Sequence, residues 1–242
     1  MRLGVLDVGS NTVHLQVVDA HPGARPSPAT NQKVELRLHE YLSKAGEITE
    51  EGVALLESAI KDAIFHAKEF KTEEILAFAT SAIRDATNGK EILSEINRKF
   101  DIDLQVLSGD DEARMTFLAV RRWLGWSSGR LLVLDIGGGS LEIASGIDEL
   151  PEQTLSLPLG AARSTREFLG SDPYTSKGVR SLEKHAEDLL KNSIPESLRA
   201  HDANHFVATS KTFRTLARIC AHWYGDNPKF LEKKSLETAV PK

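Results

Sequence analysis

A chain of 242 residues, 40% hydrophobic and 27% charged, has the composition of a folded globular protein and length for one large domain or two lobes of about 120 residues each. Its formal net charge of −5 excludes a generally basic nucleic-acid binder, so a polyanionic ligand has to be held by local positive clusters. The single cysteine, Cys220, excludes a disulfide framework and a cysteine-based zinc site, which fits a reducing cytoplasm.

Met1-Arg2 leads directly into an apolar run without the form of a signal peptide, and no run approaches the roughly 18 apolar residues of a membrane span. The expectation is a cytoplasmic protein with no membrane contact. Leu3 to Val8 reads as a strand, followed by the small turn Gly9-Ser10-Asn11 and a second strand, Val13 to Val18. His21 to Pro28, with three prolines and a glycine, makes a hairpin loop. Lys33 to His39 alternates, with Val34, Leu36 and Leu38 on one face, as a half-buried strand does. Thr49 caps a helix whose stripe is Val53, Leu56, Ile60, Ile64 and Ala67. Glu74 to Ala79 is a strand leading into Thr80 to Asp85, and Asn88 with Glu91 forms a capping box for a helix to Lys99. Asp103 to Leu107 is a strand, and Asp110 to Leu124 a helix turning Ala113, Phe117, Val120 and Leu124 inward.

Gly125 to Gly129 is the expected interlobe linker, dividing lobes 1–124 and 125–242. The second lobe follows the same plan: strands near 131–136, 140–146 and 152–157, then helices near 160–169 and 176–193. His205 to Thr209 is a strand, and Lys211 to Tyr224 a helix packing Phe213, Leu216, Cys220 and Tyr224. This lobe has fewer elements than the first.

One segment is written twice. Leu3 to Thr12 and Leu131 to Ser140 each run from an apolar strand through one Asp into a small turn, so Asp7 answers Asp135 and Gly9-Ser10-Asn11 answers Gly137-Gly138-Gly139-Ser140. Such a unit sets a carboxylate beside a ribbon of backbone N–H groups, which suits a metal ion and a phosphate. The competing reading is a tight hairpin with an Asx turn. The repetition favours the first, with two related lobes facing each other across a phosphate-holding cleft. Two Asp residues facing across a cleft repel unless a cation lies between them, and Mg²⁺ suits that place.

Other residues stay open on spacing alone. Glu112 closes a run of three acids at a helix start, where it either complements the helix dipole or serves chemistry. Glu142 points to the opposite strand face from Leu141 and Ile143, back towards the corner of Asp135, or simply to solvent. Arg84 is a phosphate clamp or a partner of Asp85. Thr209-Ser210 opens a helix as an anion cradle would. Lys211, Arg214 and Arg218 form a basic stripe that is either a solvated face or a substrate track. The histidines show no metal-ligand spacing, and His14 reads as a core or supporting residue.

Taken together, Asp7 to Thr12, Ala79 to Arg84, Ser108 to Arg114, Asp135 to Glu142, Pro158 to Arg163 and Ala208 to Thr212 resemble, in order, the motifs of the exopolyphosphatase / guanosine pentaphosphate phosphohydrolase family. The resemblance implies the two-lobed α/β fold of the actin–sugar kinase–Hsp70 (ribonuclease H-like) class with an internal duplication, its C-terminal part incomplete. It implies Mg²⁺-dependent hydrolysis of the terminal phosphate of inorganic polyphosphate, or of pppGpp, and a homodimer. It casts Glu112 as general base, Asp135 and Glu142 as residues that hold Mg²⁺ with Asp7 and orient the water, and Arg84 and the two Gly turns as phosphate ligands, with Thr209, Ser210 and Lys211 completing them. The sequence departs from the pattern at Asp111, where relatives have Glu, and at Lys211, where many have Gly. It also lacks the family's closing Arg-Ala-Asp…Ala-Gly segment. A kinase of the same fold and a non-catalytic phosphate or nucleotide sensor are the other readings.

Overall fold

The computed structural model describes residues 1–199 and 202–225, and these form two compact units, Met1–Ser108 and Gly109 onward. In the first unit β1 (Arg2–Val8), β2 (Thr12–Asp19) and β3 (Ser27–Glu35) form an antiparallel meander. β4 (Glu74–Ala79) and β5 (Leu104–Val106) add in parallel, giving the order β3-β2-β1-β4-β5. The helices are α1 (Glu50–Glu69), α2 (Ser81–Arg84) and α3 (Gly89–Phe100). Period-2 alternation sends Leu6, Val8, Val13, Leu15 and Val17 into a core shared with Leu56, Ile60 and Ile64 of α1. Asp7 and His14 consequently take the other face of the sheet.

The second unit repeats the plan. It contains α4 (Gly109–Leu124), β6 (Leu131–Ile136), β7 (Leu141–Gly146), β8 (Gln153–Leu157), α5 (Ala161–Ser164) running into a π-turn at Thr165–Leu169, α6 (Ser176–Ser193), α7 (Glu196–Arg199), β9 (His205–Thr209) and α8 (Ser210–Tyr224). The sheet order is β8-β7-β6-β9, with β9 parallel to β6 as β4 is to β1. Among the described residues it has one strand fewer than the first sheet, at the place β5 fills there. α4 buries Ala113, Phe117 and Val120 against Leu131, Val133 and Ala144. The opposite face packs Leu132, Leu141, Ile143 and Leu157 with Leu198.

The structure departs from the expected elements in instructive ways. α4 sits with the second unit instead of closing the first, so the division falls between Ser108 and Gly109 and not in the Gly125–Gly129 segment. The reason is the apolar stripe of α4, which is spent on β6 and β7. Gly125 to Gly129 is instead a tight corner within the second unit, tied down by Arg121. Arg121 also takes the inward place expected of Leu124, which is 41% exposed. The Pro-rich loop is shorter than expected because β3 begins at Ser27, and the chain leaves the strand after Glu35 for a 3₁₀ turn at Leu38–Tyr41. Asn88 makes no side-chain cap; its amide instead brackets Ile48, accepting from its N–H and donating to its carbonyl, both at 2.9 Å. On α8 the buried residues are Ala217 and Cys220, while Tyr224 is exposed. No helix among the described residues is long and apolar enough to cross a membrane.

Arg121 knits these parts together. It is 1% exposed, lies over the Phe117 ring and donates to Ser128 Oγ (2.8 Å) and to the carbonyls of Gly129 (2.6 Å) and Gly146 (3.2 Å). Removing it leaves those acceptors buried without their donor. Arg121→Ala is expected to cost the second unit about 3–5 kcal/mol, read as a lower urea midpoint at unchanged m-value. A cost below about 1 kcal/mol would show that water replaces the guanidinium there.

Candidate functional site

The two halves carry equivalent rows of side chains, each running across its sheet at the end of the central strand. In the first unit direct cross-strand pairing aligns Phe78, Asp7, His14 and Lys33. In the second it aligns Thr209, Asp135, Glu142 and Ser156. Directly paired residues project from the same face of a sheet, so each row is a contiguous strip of functional groups. The duplication has therefore diverged in charge: where the second row continues from Asp135 into Glu142, the first continues from Asp7 into His14 and Lys33. Asp7 is exposed at the surface of its strand, yet desolvation by the surrounding protein raises its carboxyl above the ordinary value, opposed by the nearby His14 and Lys33. Burial likewise raises Asp135, opposed by the hydroxyls of Thr209 and Ser210.

Glu142 is 5% exposed and accepts from Ser156 Oγ at 2.9 Å, so it is a buried member of the row and not a solvent-facing residue. Ser156 in turn lies under the start of α4. A β-carbon on Gly109 would come within 2.3 Å of the Ser156 side chain, which only glycine permits. The acids of the first turn of α4 then divide their work. Asp110 accepts from Thr154 Oγ1 of β8 (2.9 Å), and Asp111 pairs with Arg114 along the helix (3.1 Å). Glu112, half-buried, stands one turn on from Gly109 on the sheet-facing side of the helix. Helix packing thus brings Glu112 to the same face of the second sheet as Asp135 and Glu142.

Both small turns have the same closure: Gly9 N–H donates to Thr12 O and Gly137 N–H to Ser140 O, each at 2.9 Å. Neither Gly9 nor Gly137 has a left-handed φ, and a β-carbon on either would meet only a main-chain oxygen at ordinary contact distance, 3.5 Å from Thr12 O and 3.6 Å from Ser140 O. Ser10 Oγ is hydrogen-bonded to Ser81 Oγ at 2.9 Å, which links the first turn to α2. Arg84 is already engaged: Nε meets Asp85 at 3.2 Å and Nη1 donates to the Leu107 carbonyl at 3.1 Å. This joins the ends of β4 and β5 and bears out the pairing of Arg84 with Asp85. At the start of α8 the left-handed backbone falls on Ser210 (φ 80°), while Lys211 lies within the helix. Lysine in place of glycine at 211 therefore imposes no backbone strain. Lys211, Arg214 and Arg218 are exposed along α8, with Arg214 Nε on the Ser210 carbonyl.

Sequence reasoning did not single out Ser156, Thr154 or His14 as members of the site. For Ser156 and His14 the signal is the strand register, which pairs them with Glu142 and Asp7; Thr154, paired with Ala144, reaches an acid only through its hydrogen bond to Asp110. Among the described residues no three acidic, His or Cys side chains gather around one point. Asp135 and Glu142 nevertheless fit Mg²⁺: two carboxylates side by side, one half-buried and one buried, match an ion that takes one or two carboxylates and completes its shell with water and phosphate.

Comparison with known proteins agrees with this geometry. Residues 16–240 match the model of the Ppx/GppA phosphatase family. Exopolyphosphatase 1 of Mycobacterium tuberculosis is 52% identical over 219 residues, covering 90% of this chain and 64% of that protein. The Mycobacterium leprae protein of the same name is 50% identical, covering 90% and 65%. The chain thus spans a little under two thirds of the length of these relatives. Among solved structures, an exopolyphosphatase from Cytophaga hutchinsonii superposes with a TM-score of 0.81 at 26% identity, covering 97% of this chain and 74% of that one. The Aquifex aeolicus PPX-GPPA enzyme superposes at 0.76 and 27%, covering 99% and 79%. The fold is the duplicated α/β fold that the resemblance implied, and the chain belongs to the Ppx/GppA phosphatase family.

Proposed function

We propose that this protein hydrolyses the terminal phosphoanhydride bond of inorganic polyphosphate, with Glu112 as general base. The observation that carries the reading is the shared face of the second sheet, where Asp135 and Glu142 pair directly beside the Gly137–Ser140 turn and the first turn of α4, which bears Glu112, packs over Ser156. The naming of relatives at 50–52% identity as exopolyphosphatases supports polyphosphate as the substrate.

In this mechanism the Glu112 carboxylate takes a proton from water as its oxygen bonds to the terminal phosphorus. The bridging P–O bond breaks, and its electron pair leaves with the shortened chain. In the second unit, backbone N–H groups of the Gly137–Ser140 turn, with Thr209, Ser210 and Lys211, hold phosphate oxygens, and Asp135 and Glu142 would hold Mg²⁺, which when bound supplies positive charge to the phosphoryl oxygens. In the first unit, the Gly9–Asn11 turn beside Asp7, with Arg84, offers phosphate contacts of the same kind. Positioning and electrostatic stabilisation supply most of the rate in phosphoryl transfer. Phosphate release measured in parallel with polyphosphate, pppGpp and ATP tests the reading. Turnover of polyphosphate is expected; turnover of pppGpp alone, or of none, would refute it.

Glu112→Gln should lower kcat about 10²–10⁴-fold with little change in substrate affinity. Near wild-type turnover in a folded variant would remove Glu112 from the base role.

The raised carboxyl of Asp135 gives a second expectation. A carboxyl held above its unfolded value opposes folding when ionised. That cost is absent at pH values below the ordinary carboxylate range and complete above the raised folded value. Without divalent cations, Asp135→Asn should therefore raise Tm at pH 7 by about 2–4 °C, and the gain should vanish near pH 3. Saturating Mg²⁺ should stabilise the wild type more than the variant. Equal Mg²⁺ stabilisation of both would place the ion elsewhere.

Finally, if the α8 stripe is a substrate track, replacing Lys211 and Arg214 by Ala should weaken long polyphosphate much more than tripolyphosphate, most clearly at low salt. Equal effects on both ligands would make the stripe only a solvated face.

A further inference from the structure

The Pro158–Arg163 segment follows β8 and carries no residue of the proposed chemistry, yet it packs directly against the Gly137–Ser140 turn. A β-carbon on Gly160 would lie 2.3–2.5 Å from main-chain atoms of Gly138, Gly139 and Ser140, so the two backbones touch. From this position the segment captures three successive carbonyls. Ala161 N–H donates to Gly137 O (2.9 Å), Arg163 N–H to Gly138 O (3.0 Å), and the Arg163 side chain reaches back through Nε to Gly139 O (2.8 Å).

In a trans peptide the carbonyl and the following N–H point in opposite directions. Fixing the carbonyls of 137, 138 and 139 towards Ala161 and Arg163 therefore fixes the N–H groups of Gly138, Gly139 and Ser140 the other way. Among the described residues these three have no protein acceptor. Three convergent N–H groups form an anion-binding concavity. The first half solves the same problem differently: Leu38 N–H donates to Ser10 O, and the N–H groups of both Leu36 and Arg37 donate to Asn11 O. There the main chain supplies every donor, with Arg37 at a left-handed φ of 50°. In the second half the third donor is a side chain.

We propose that Arg163 is a positioning residue, whose Nε aims the Gly139–Ser140 peptide so that Ser140 N–H faces the phosphate. The inference rests on the phosphate-binding reading of this turn. It predicts an effect transmitted through a neutral peptide group, not through the charge of the guanidinium. Of the three donors, only this one is removable by mutation without touching the main chain.

The test is calorimetric binding of tripolyphosphate, at fixed Mg²⁺ and over a salt series, to wild type, Arg163→Met and Arg163→Lys. Losing one well-aimed hydrogen bond to a charged ligand should weaken Arg163→Met about tenfold. The salt dependence should keep its slope, and Tm should stay near the wild-type value. Lys retains a donor that can reach Gly139 O and should recover part of the loss. The amide resonance of Ser140 should shift on ligand addition in wild type and much less in Arg163→Met. Unchanged affinity would overturn the proposal, as would a weaker affinity with a shallower salt slope, which would mark Arg163 as a direct charged ligand. If Arg163→Met does not fold, Arg163→Lys decides: wild-type affinity with an unshifted Ser140 amide would overturn the proposal, and an intermediate affinity would support it. Wild-type protein that binds tripolyphosphate but releases no phosphate from polyphosphate would sink the hydrolase reading and leave this one standing.

Discussion

Two carboxylates cannot sit side by side in a buried strip of sheet without something to offset their repulsion. Asp135 and Glu142 are direct partners across β6 and β7, with Glu142 almost fully buried and Asp135 held above its ordinary value by burial. The Ser156 hydroxyl meets part of the need at Glu142, while on the Asp135 side Thr209 Oγ1 donates to the Leu134 carbonyl. The Mg²⁺ proposed for this site would offset the rest. The rest of the second unit is arranged around this strip. α4 is pinned over it by the Gly109–Ser156 contact and the Thr154–Asp110 bond, and the turn at its end is gripped by residues 161 to 163.

The internal duplication shows how one scaffold supports two different half-sites. Strand order, Asp position and turn closure are preserved between β1-β2 and β6-β7. What changed lies one strand over, where His14 stands in the place of Glu142 and Lys33 in that of Ser156. Such an exchange turns an acidic strip into a mixed one, in which Lys33 balances Asp7 and His14 adds a ring nitrogen, without moving any backbone. An acidic strip suits a metal and an activated water; a lysine and ring nitrogens suit phosphate oxygens. A protein with a net charge of −5 can then offer a polyanion favourable contacts at short range despite an unfavourable long-range field.

Much of this is legible in the order of the residues alone. The repeated strand–Asp–turn–strand unit carries the α/β class and the duplication, and most strands and helices lie within a residue or two of the expected bounds, as at Thr49 and at β6. The expectations that failed did so for tertiary reasons. Leu124 fits an inward stripe as well as Phe117 does, but the buried place went to Arg121 because three acceptors converge there. Asn88 matches a capping box, yet Ile48 offers its amide two main-chain partners from a distant segment. Gly125 to Gly129 has the composition of a linker and is a corner instead.

By itself the sequence determined the periodicities, the paired Asp residues and the small turns, because these depend on local stereochemistry and on which residues follow one another. Only the tertiary structure decided that α4, and Glu112 with it, packs on the sheet that carries Asp135 and Glu142, because that depends on which sheet claims the apolar stripe of the helix. It also decided that Glu142 is buried, through its pairing with Ser156, and that Arg163 serves the turn of Gly137 to Ser140. Strand register and helix packing are set by contacts between residues far apart in the chain, and burial and hydrogen bonding between such partners leave no periodic mark on either segment alone.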